Sequence, residues 1–186
     1  MLFYIFLFLI IGQRLSELMI AKRNERHMKQ KGAIEFGQSH YPFIVAVHSL
    51  FFVSLIIEVA LLQKNLSPNW PVFLTLFLLA QMGRVWVLAS LGPFWNTKIL
   101  VLPEANIVKK GPYQYVKHPN YIIVTIELIV IPLLFQAYMT AILFTIFNAV
   151  ILAIRIPTEE RALKQLTEYT EAFAKSPSQI KNVKKV

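Results

Sequence analysis

The chain has 186 residues, of which 56% are hydrophobic, 16% are charged and none is cysteine, so disulfides, iron–sulfur clusters and thiol nucleophiles are excluded. This composition is too apolar for a soluble domain, and it predicts a membrane protein with room for four or five spans. The formal net charge is +9, but the basic residues lie in blocks beside apolar runs, which favours contact with membrane lipids and predicts no nucleic-acid partner.

The first apolar stretch, residues 2–21, is long enough to cross a hydrocarbon core of about 30 Å. Its basic residues follow it instead of preceding it, which indicates a retained span and not a cleaved signal peptide. Arg14 and Glu17 lie at i, i+3 spacing within it, so we expect the two to pair on one helix face.

Two further apolar runs follow at 43–62 and 70–90. Trp70 and Trp95 flank the third run, where interfacial aromatics are expected. Arg84 lies within about two turns of its far end, so we expect its side chain to snorkel to the interface.

The interval 91–120 is the longest segment that does not span. It contains several glycines and prolines, but it is too rich in Trp, Tyr, Val and Leu for a disordered linker. Loops longer than about 12 to 15 residues are commonly functional, and we expect this one to be functional.

Residues 121–155 are apolar for almost twice the length of one span and are interrupted near the middle, which predicts a helical hairpin of 121–135 and 139–156. The charged tail from Arg155 is amphipathic and predicts a C-terminal helix to about residue 174. The predicted fold is therefore all-α: a polytopic membrane protein with about five transmembrane helices, the last two a hairpin.

We expect one domain over 1–186, in which 1–90 supplies three spans and 91–186 forms the catalytic core. Lysine and arginine number 5 in 22–40, 4 in 91–120 and 7 in 155–186, whereas the opposite side has only Lys64. The positive-inside rule then predicts a cell-membrane protein with its N-terminus outside and with the long loop and C-terminus in the cytosol.

The most informative stretch is 109–121, which is polar, aromatic and rich in turns. Its tyrosines, taken singly, fit an interfacial position, and His118 alone fits a structural hydrogen bond. Because Pro119 begins a span directly after His118, however, backbone N–H groups at the helix start favour an anion. With aromatic faces nearby, the stretch suits a small ligand that carries a carboxylate, a ring and a positive charge.

Other site types lack their signatures. The four histidines, His27, His40, His48 and His118, show no paired spacing, so we expect no metal site. The chain has no dinucleotide-binding glycine motif, P-loop or G-x-S-x-G elbow. A transfer reaction on a bound organic cofactor remains the natural candidate.

A second charged group, Arg155 with Glu159 and Glu160, ends the last apolar run. One interpretation is a salt bridge between Arg155 and Glu159, which share a helix face. The other is functional, because ionisable residues at membrane depth commonly mark a site.

Gly111-Pro112-Tyr113, then Lys117-His118-Pro119 with Tyr121, and finally Arg155 with Glu159-Glu160 resemble the isoprenylcysteine carboxyl methyltransferase family. The family pattern is roughly G-P-Y, R-H-P-x-Y and R-x-x-x-E-E, and the resemblance covers residues 95–175. It implies an all-helical membrane methyltransferase that uses S-adenosyl-L-methionine in a cytosol-facing pocket.

By position, the resemblance implies that seven residues bind the cofactor: Gly111, Tyr113, His118, Tyr121, Glu159 and, through backbone groups, Val101 and Leu102. It assigns Arg155 and Glu160 to the acceptor and the reacting centre. Lys117 replaces the usual arginine and should act as a point charge. Tyr169 is present, whereas Phe173 stands where a second tyrosine is common.

The chain looks like prokaryotic members, which favours oxygen methylation of a small lipophilic acceptor that enters from the bilayer. Candidate acceptors are an alkyl pyrone, a phenol, and an isoprenoid or prenylcysteine carboxylate. A carboxylate needs no base, whereas a phenol or enol would use Glu160 or His118. The alternatives are an NADPH-dependent enzyme similar to sterol reductases, and a non-catalytic membrane subunit or small transporter.

Overall fold

The computed structural model describes residues 1–169, which form five α-helices, two short strands and two 3-10 turns. The helices are α1 Leu2–Gln30, α2 Tyr41–Leu61, α3 Trp70–Leu91, α4 Pro119–Leu134 and α5 Tyr138–Leu166. The strands are β1 Ile34–Phe36 and β2 Ile99–Val101, and the 3-10 turns are Gly92–Phe94 and Gly111–Gln114.

The helices confirm the predicted all-α polytopic membrane fold. Helices α1, α2, α3 and α5 are long and apolar enough to cross a membrane. Helix α4 is apolar but has only 16 residues, a length of about 24 Å. The predicted hairpin is formed by α4 and α5, which are joined by a tight turn in which Gln136 takes a positive φ of 57°.

The helices alternate in direction and so define two ends of the bundle. At the hairpin end the turn between α4 and α5 meets the turn between α2 and α3, where the Ser67 backbone N–H donates to the Leu134 carbonyl at 2.9 Å. The start of α1 packs there too, with the rings of Phe3 and Phe135 at 5.0 Å between centroids. The opposite end, called the loop end, carries the strands and the 91–118 segment.

Glu58, near the end of α2, caps the start of α5. Its carboxylate accepts hydrogen bonds from the backbone N–H groups of Met139 at 3.1 Å and Thr140 at 2.7 Å, and from the Thr140 hydroxyl at 2.7 Å. The first N–H groups of a helix lack partners within the helix, and lipid offers none. A carboxylate from another span therefore satisfies them.

A buried ion cluster joins α1, α3 and α4, and consists of Arg14, Glu17, Arg84 and Glu127. Arg14 donates to Glu17 at 2.8 Å, which confirms the expected pair, and it also contacts Glu127. Arg84 donates to Glu17 at 3.2 Å and to Glu127 at 3.1 Å. The snorkelling predicted for Arg84 is wrong: only 3% of the residue is exposed, because two carboxylates hold it inside the bundle.

A two-stranded antiparallel sheet at the loop end was not predicted. Strands β1 and β2 pair with Ile34 opposite Val101, and three residues a strand are too few for a readable alternation. Lys98, which directly precedes β2, forms salt bridges with Glu25 of α1 at 2.8 Å and with Glu35 of β1 at 3.3 Å. The long loop is thereby fixed on the bundle.

The predicted C-terminal helix starts as a continuation of α5, which runs without a break through Pro157 to Leu166. Thr167 then takes an extended backbone and Tyr169 is helical again, while the remainder of the helix predicted to about residue 174 lies outside the described residues. Phe173 and the rest of the tail beyond residue 169 lie outside the described residues.

Candidate functional site

A cavity of about 630 Å³ lies between the helices and the loop. Its lining continues along α4 from Asn120 to Ile131, a distance of about 16 Å, so it extends from the loop end into the bundle. Seven of the sequence-predicted site residues line it: Val101, Leu102, Tyr113, His118, Tyr121, Arg155 and Glu159. Gly111 and Glu160 lie behind this lining.

Tyr121 connects the two charged residues of α5. Its hydroxyl accepts a hydrogen bond from Nε of Arg155 at 2.8 Å and donates one to the carboxylate of Glu159. Arg155 also donates to the Thr97 carbonyl, which fixes the loop against α5. The direct salt bridge considered between Arg155 and Glu159 is absent from residues 1–169, since the hydroxyl of Tyr121 lies between the two groups.

His118 lies against Tyr121, with ring centroids 5.4 Å apart and an interplanar angle of 20°. The non-helical backbone of His118 before Pro119, the first residue of α4, fixes this position. Nε2 of His118 donates to Glu160 at 3.3 Å, and Nδ1 lies 3.8 Å from Glu159. Glu160 therefore acts on the cavity through His118.

Lys117 and Tyr169 form the outer wall. The Lys117 ammonium lies 5.8 Å from the centroid of the Tyr169 ring and 3.9 Å from Glu160. Burial raises the pKa of Tyr169 to about 12, with the charges of Glu160 and Glu159 adding to the effect. Both residues line the cavity.

Gly111 shapes the site without facing it. Its φ is +59°, and an added Cβ would lie 2.1 Å from Oγ of Ser90 and 2.9 Å from Nε1 of Trp86. Only glycine allows this approach to α3, which brings Tyr113 to the cavity two residues later. Burial raises the pKa of Tyr113, and so does the negative charge of Glu159, so its hydroxyl stays protonated at neutral pH.

Two buried polar atoms on this cavity have no hydrogen-bond partner among residues 1–169: the indole N–H of Trp95 and the amide oxygen of Asn120. Buried polar groups are nearly always paired, so these two atoms are open to a hydrogen bond from water or from a polar ligand in the cavity. Trp95, which was expected among interfacial aromatics, is buried inside the protein, where only 3% of the residue is exposed and it belongs to a cluster with Ile123 of α4.

Sequence reasoning also missed the inner wall, which includes Arg14, His48, Glu127 and Asn148. All four are polar or ionisable residues within apolar stretches, and in membrane proteins such residues commonly mark a functional site. Within residues 1–169 no group of three potential ligands could hold a metal ion. The site offers cations, tyrosine faces and carboxylates at the loop end and mainly apolar side chains deeper in.

Comparison with known proteins gives a consistent picture. The model of the isoprenylcysteine carboxyl methyltransferase (ICMT) family matches residues 73–165. The uncharacterized protein YpbQ of Bacillus subtilis (strain 168) is 51% identical over 164 residues, which are 88% of this chain and 98% of that protein. An uncharacterized protein of Haemophilus influenzae is 33% identical over 158 residues, which are 84% of this chain and 92% of that protein. No solved structure matches significantly.

Proposed function

This chain belongs to the isoprenylcysteine carboxyl methyltransferase family, a family of membrane methyltransferases, and we propose that it transfers a methyl group from S-adenosyl-L-methionine to an oxygen of a lipophilic small molecule. The observation that carries the proposal is one continuous cavity, which joins a charged, aromatic loop end to an inner part where apolar side chains lie beside the buried ion cluster. A polar cofactor and an acceptor with a hydrocarbon tail need these two environments side by side.

The residues at the loop end fit the cofactor. Arg155 and His118 supply positive or donating groups for a carboxylate, and Glu159 supplies a negative charge for an amino or sulfonium group. The faces of Tyr113 and Tyr121 suit a ring or a cationic sulfur. The unpaired N–H of Trp95 and amide oxygen of Asn120 complement a ligand with both acceptors and donors.

When bound, the cofactor supplies a methyl group already activated on a sulfonium. The protein must therefore mainly hold donor and acceptor in line and exclude water. Tyr121 fixes Arg155 and Glu159 in one geometry, while the 91–118 segment covers the site from the loop end. Arg155 suits an anionic acceptor oxygen, because its guanidinium is a cation with several N–H donors.

The inner part of the cavity fits a hydrocarbon tail. It is lined by apolar side chains of α1, α2 and α4, including Ile11, Phe52 and Leu128. Leu15 and Val45 also line it, yet they are 56% and 46% exposed on the membrane-facing surface. Entry between α1 and α2 from the bilayer is the route that these residues favour. An alkyl pyrone, a phenol or an isoprenoid or prenylcysteine carboxylate would fit.

The distribution of basic residues supports a cytosolic loop end and an N-terminus on the outside of the cell membrane. All three basic blocks, in 22–40, 91–120 and 155–186, adjoin that end or follow it in the chain. The cofactor would then enter from the cytosol and the acceptor from lipid.

Incubation of the purified protein with methyl-labelled S-adenosyl-L-methionine and a lipid extract of the host tests the proposal. We expect a labelled lipophilic product, whose identification names the acceptor, together with calorimetric binding of the cofactor. Binding of NADPH instead would support the reductase alternative. Binding of neither cofactor would support a non-catalytic membrane subunit or transporter.

A further inference from the structure

His48 presents an unused lone pair inside the membrane-spanning part of the cavity. The residue lies on α2 and lines the cavity. Its Nδ1 donates to the Ile44 carbonyl at 2.9 Å, which places the proton of the neutral imidazole on Nδ1. Nε2 is then an acceptor, and no group in the described part of the chain hydrogen-bonds to it.

Helix geometry places this imidazole on the inner side of the loop-end site. Tyr41 and His48 are seven residues apart, so they share a face of α2 at a separation of about 10 Å along the axis. The hydroxyl of Tyr41 lies 3.2 Å from the hydroxyl of Thr97. The backbone carbonyl of Thr97 accepts a hydrogen bond from Arg155. Side chains on a helix lean toward its N-terminus, so the His48 ring leans back toward Thr97.

The other groups in the cavity that can accept a proton are already engaged. Glu17 and Glu127 accept hydrogen bonds from the two arginines of the buried ion cluster, and Glu159 accepts from Tyr121. His118 donates to Glu160, which lies behind the lining. Both ring nitrogens of His118 face a carboxylate, Glu159 at 3.8 Å and Glu160 at 3.3 Å, whereas no carboxylate in the described part of the chain lies beside Nε2 of His48.

We propose that His48 is the general base for a weakly acidic hydroxyl acceptor, a phenol or an enol. This rests on the proposed function and narrows its acceptor. The acceptor O–H bond breaks and its proton passes to Nε2 of His48, while an oxygen electron pair forms the bond to the methyl carbon. The carbon–sulfur bond breaks, its electron pair stays on sulfur, and the sulfonium becomes a thioether. The imidazolium afterwards releases its proton to water.

The chemistry of the acceptor decides whether such a base is needed. A carboxylic acid is already ionised at neutral pH and gains nothing from it. A phenol, with a pKa of about 10, is almost fully protonated and must lose its proton as the new bond forms. His48 lines a cavity whose inner part contains many apolar side chains. A base in this position favours an acceptor that carries a phenol or enol on a long hydrocarbon chain.

The test compares the wild-type full chain with His48→Gln and His48→Asn, using an alkyl phenol and a fatty acid of matched chain length as acceptors. We expect turnover of the phenol to fall about 100-fold or more in both variants, with turnover of the fatty acid and calorimetric affinity for S-adenosyl-L-methionine unchanged. His27→Gln is the matched control, since His27 is exposed on α1 outside the cavity.

A second series separates a base from a structural histidine. With ring-fluorinated alkyl phenols of increasing acidity, the loss in the His48 variants should shrink as the acceptor ionises by itself. An equal loss across the series, undiminished phenol turnover, or wild-type activity on the fatty acid alone would each overturn the role of His48 and leave the methyltransferase proposal standing. Absence of cofactor binding by the wild-type protein would overturn both.

Discussion

Tyr121 and Glu159 are 38 residues apart in the chain, and the hydroxyl of Tyr121 donates a hydrogen bond to the carboxylate of Glu159. The same hydroxyl accepts from Arg155, so one oxygen joins the start of α4 to two charged groups on α5. Two weakly specific motifs thus become parts of one arrangement. Hydrogen bonds to charged groups contribute about 1.5 to 3 kcal/mol, which makes this oxygen a sensitive point.

Tyr121→Phe removes that oxygen and keeps the ring. We expect the affinity for S-adenosyl-L-methionine to fall at least tenfold, about 1.4 kcal/mol, because Arg155 and Glu159 lose their common partner. Isothermal titration calorimetry on the purified protein measures it. Tyr115→Phe is the matched control, since Tyr115 is 80% exposed and should bind as the wild type. Unchanged affinity in Tyr121→Phe would exclude Tyr121 from the cofactor site.

Glu160→Gln tests the residue that lies behind His118. The carboxylate holds Nε2 of His118 at 3.3 Å, and a neutral amide would orient the imidazole less firmly. We expect turnover to fall by roughly tenfold to a hundredfold without loss of thermal stability, because small errors in position are costly in a transfer reaction. Glu168→Gln changes an exposed glutamate outside this group and should remain fully active. Full activity in Glu160→Gln would remove Glu160 from the site.

Gly111→Ala tests the approach of the loop to α3. The new methyl group would meet Ser90 at 2.1 Å in a backbone conformation that alanine disfavours, so we expect a loss of about 1 to 3 kcal/mol in the free energy of unfolding. Thermal unfolding in detergent measures it. Adding Ser90→Ala should restore only part of the loss, because Trp86 and the positive φ remain.

Gly12→Ala is the control for that substitution. Gly12 lies in α1, where an added Cβ would meet nothing within 4 Å apart from the adjacent backbone of its own helix, and alanine is the better helix residue. Gly12→Ala should therefore unfold at the same temperature or higher. If Gly111→Ala were equally well tolerated, the close packing against α3 would not be needed for the fold.

Arg84→Leu tests the buried ion cluster. It leaves Glu127, of which 2% is exposed, with one positive partner fewer inside the bundle, and we expect a destabilisation of about 3 to 5 kcal/mol. Arg84→Leu combined with Glu127→Leu removes both charges and leaves Arg14 paired with Glu17, so it should cost less than the single change. Thermal unfolding compares them, with Arg161→Ala as an exposed control. A double variant less stable than the single one would contradict this.

The spans were predictable because hydropathy over some 20 residues is a strong signal, and the Arg14 and Glu17 pair was predictable because its partners are three residues apart. The partner of Arg84 was not, since Glu127 is 43 residues away and only the packing of α3 on α4 joins them. Trp95 was expected at the membrane interface because tryptophan generally prefers that position, but the turn at Gly92 directs its side chain into the protein. The residues of the candidate site were found from a family pattern, whereas their hydrogen bonds required the tertiary structure.

The cap that Glu58 places on α5 bears on how the polypeptide enters the bilayer. Met139 and Thr140 follow Glu58 by about eighty residues, so α2 has already been synthesised when the start of α5 needs a hydrogen-bond acceptor. The segment shared with the family, 73–165, contains α5 but not the span that caps it. The matched segment therefore lacks the carboxylate that binds the first N–H groups of α5, and the upstream helix α2 supplies it.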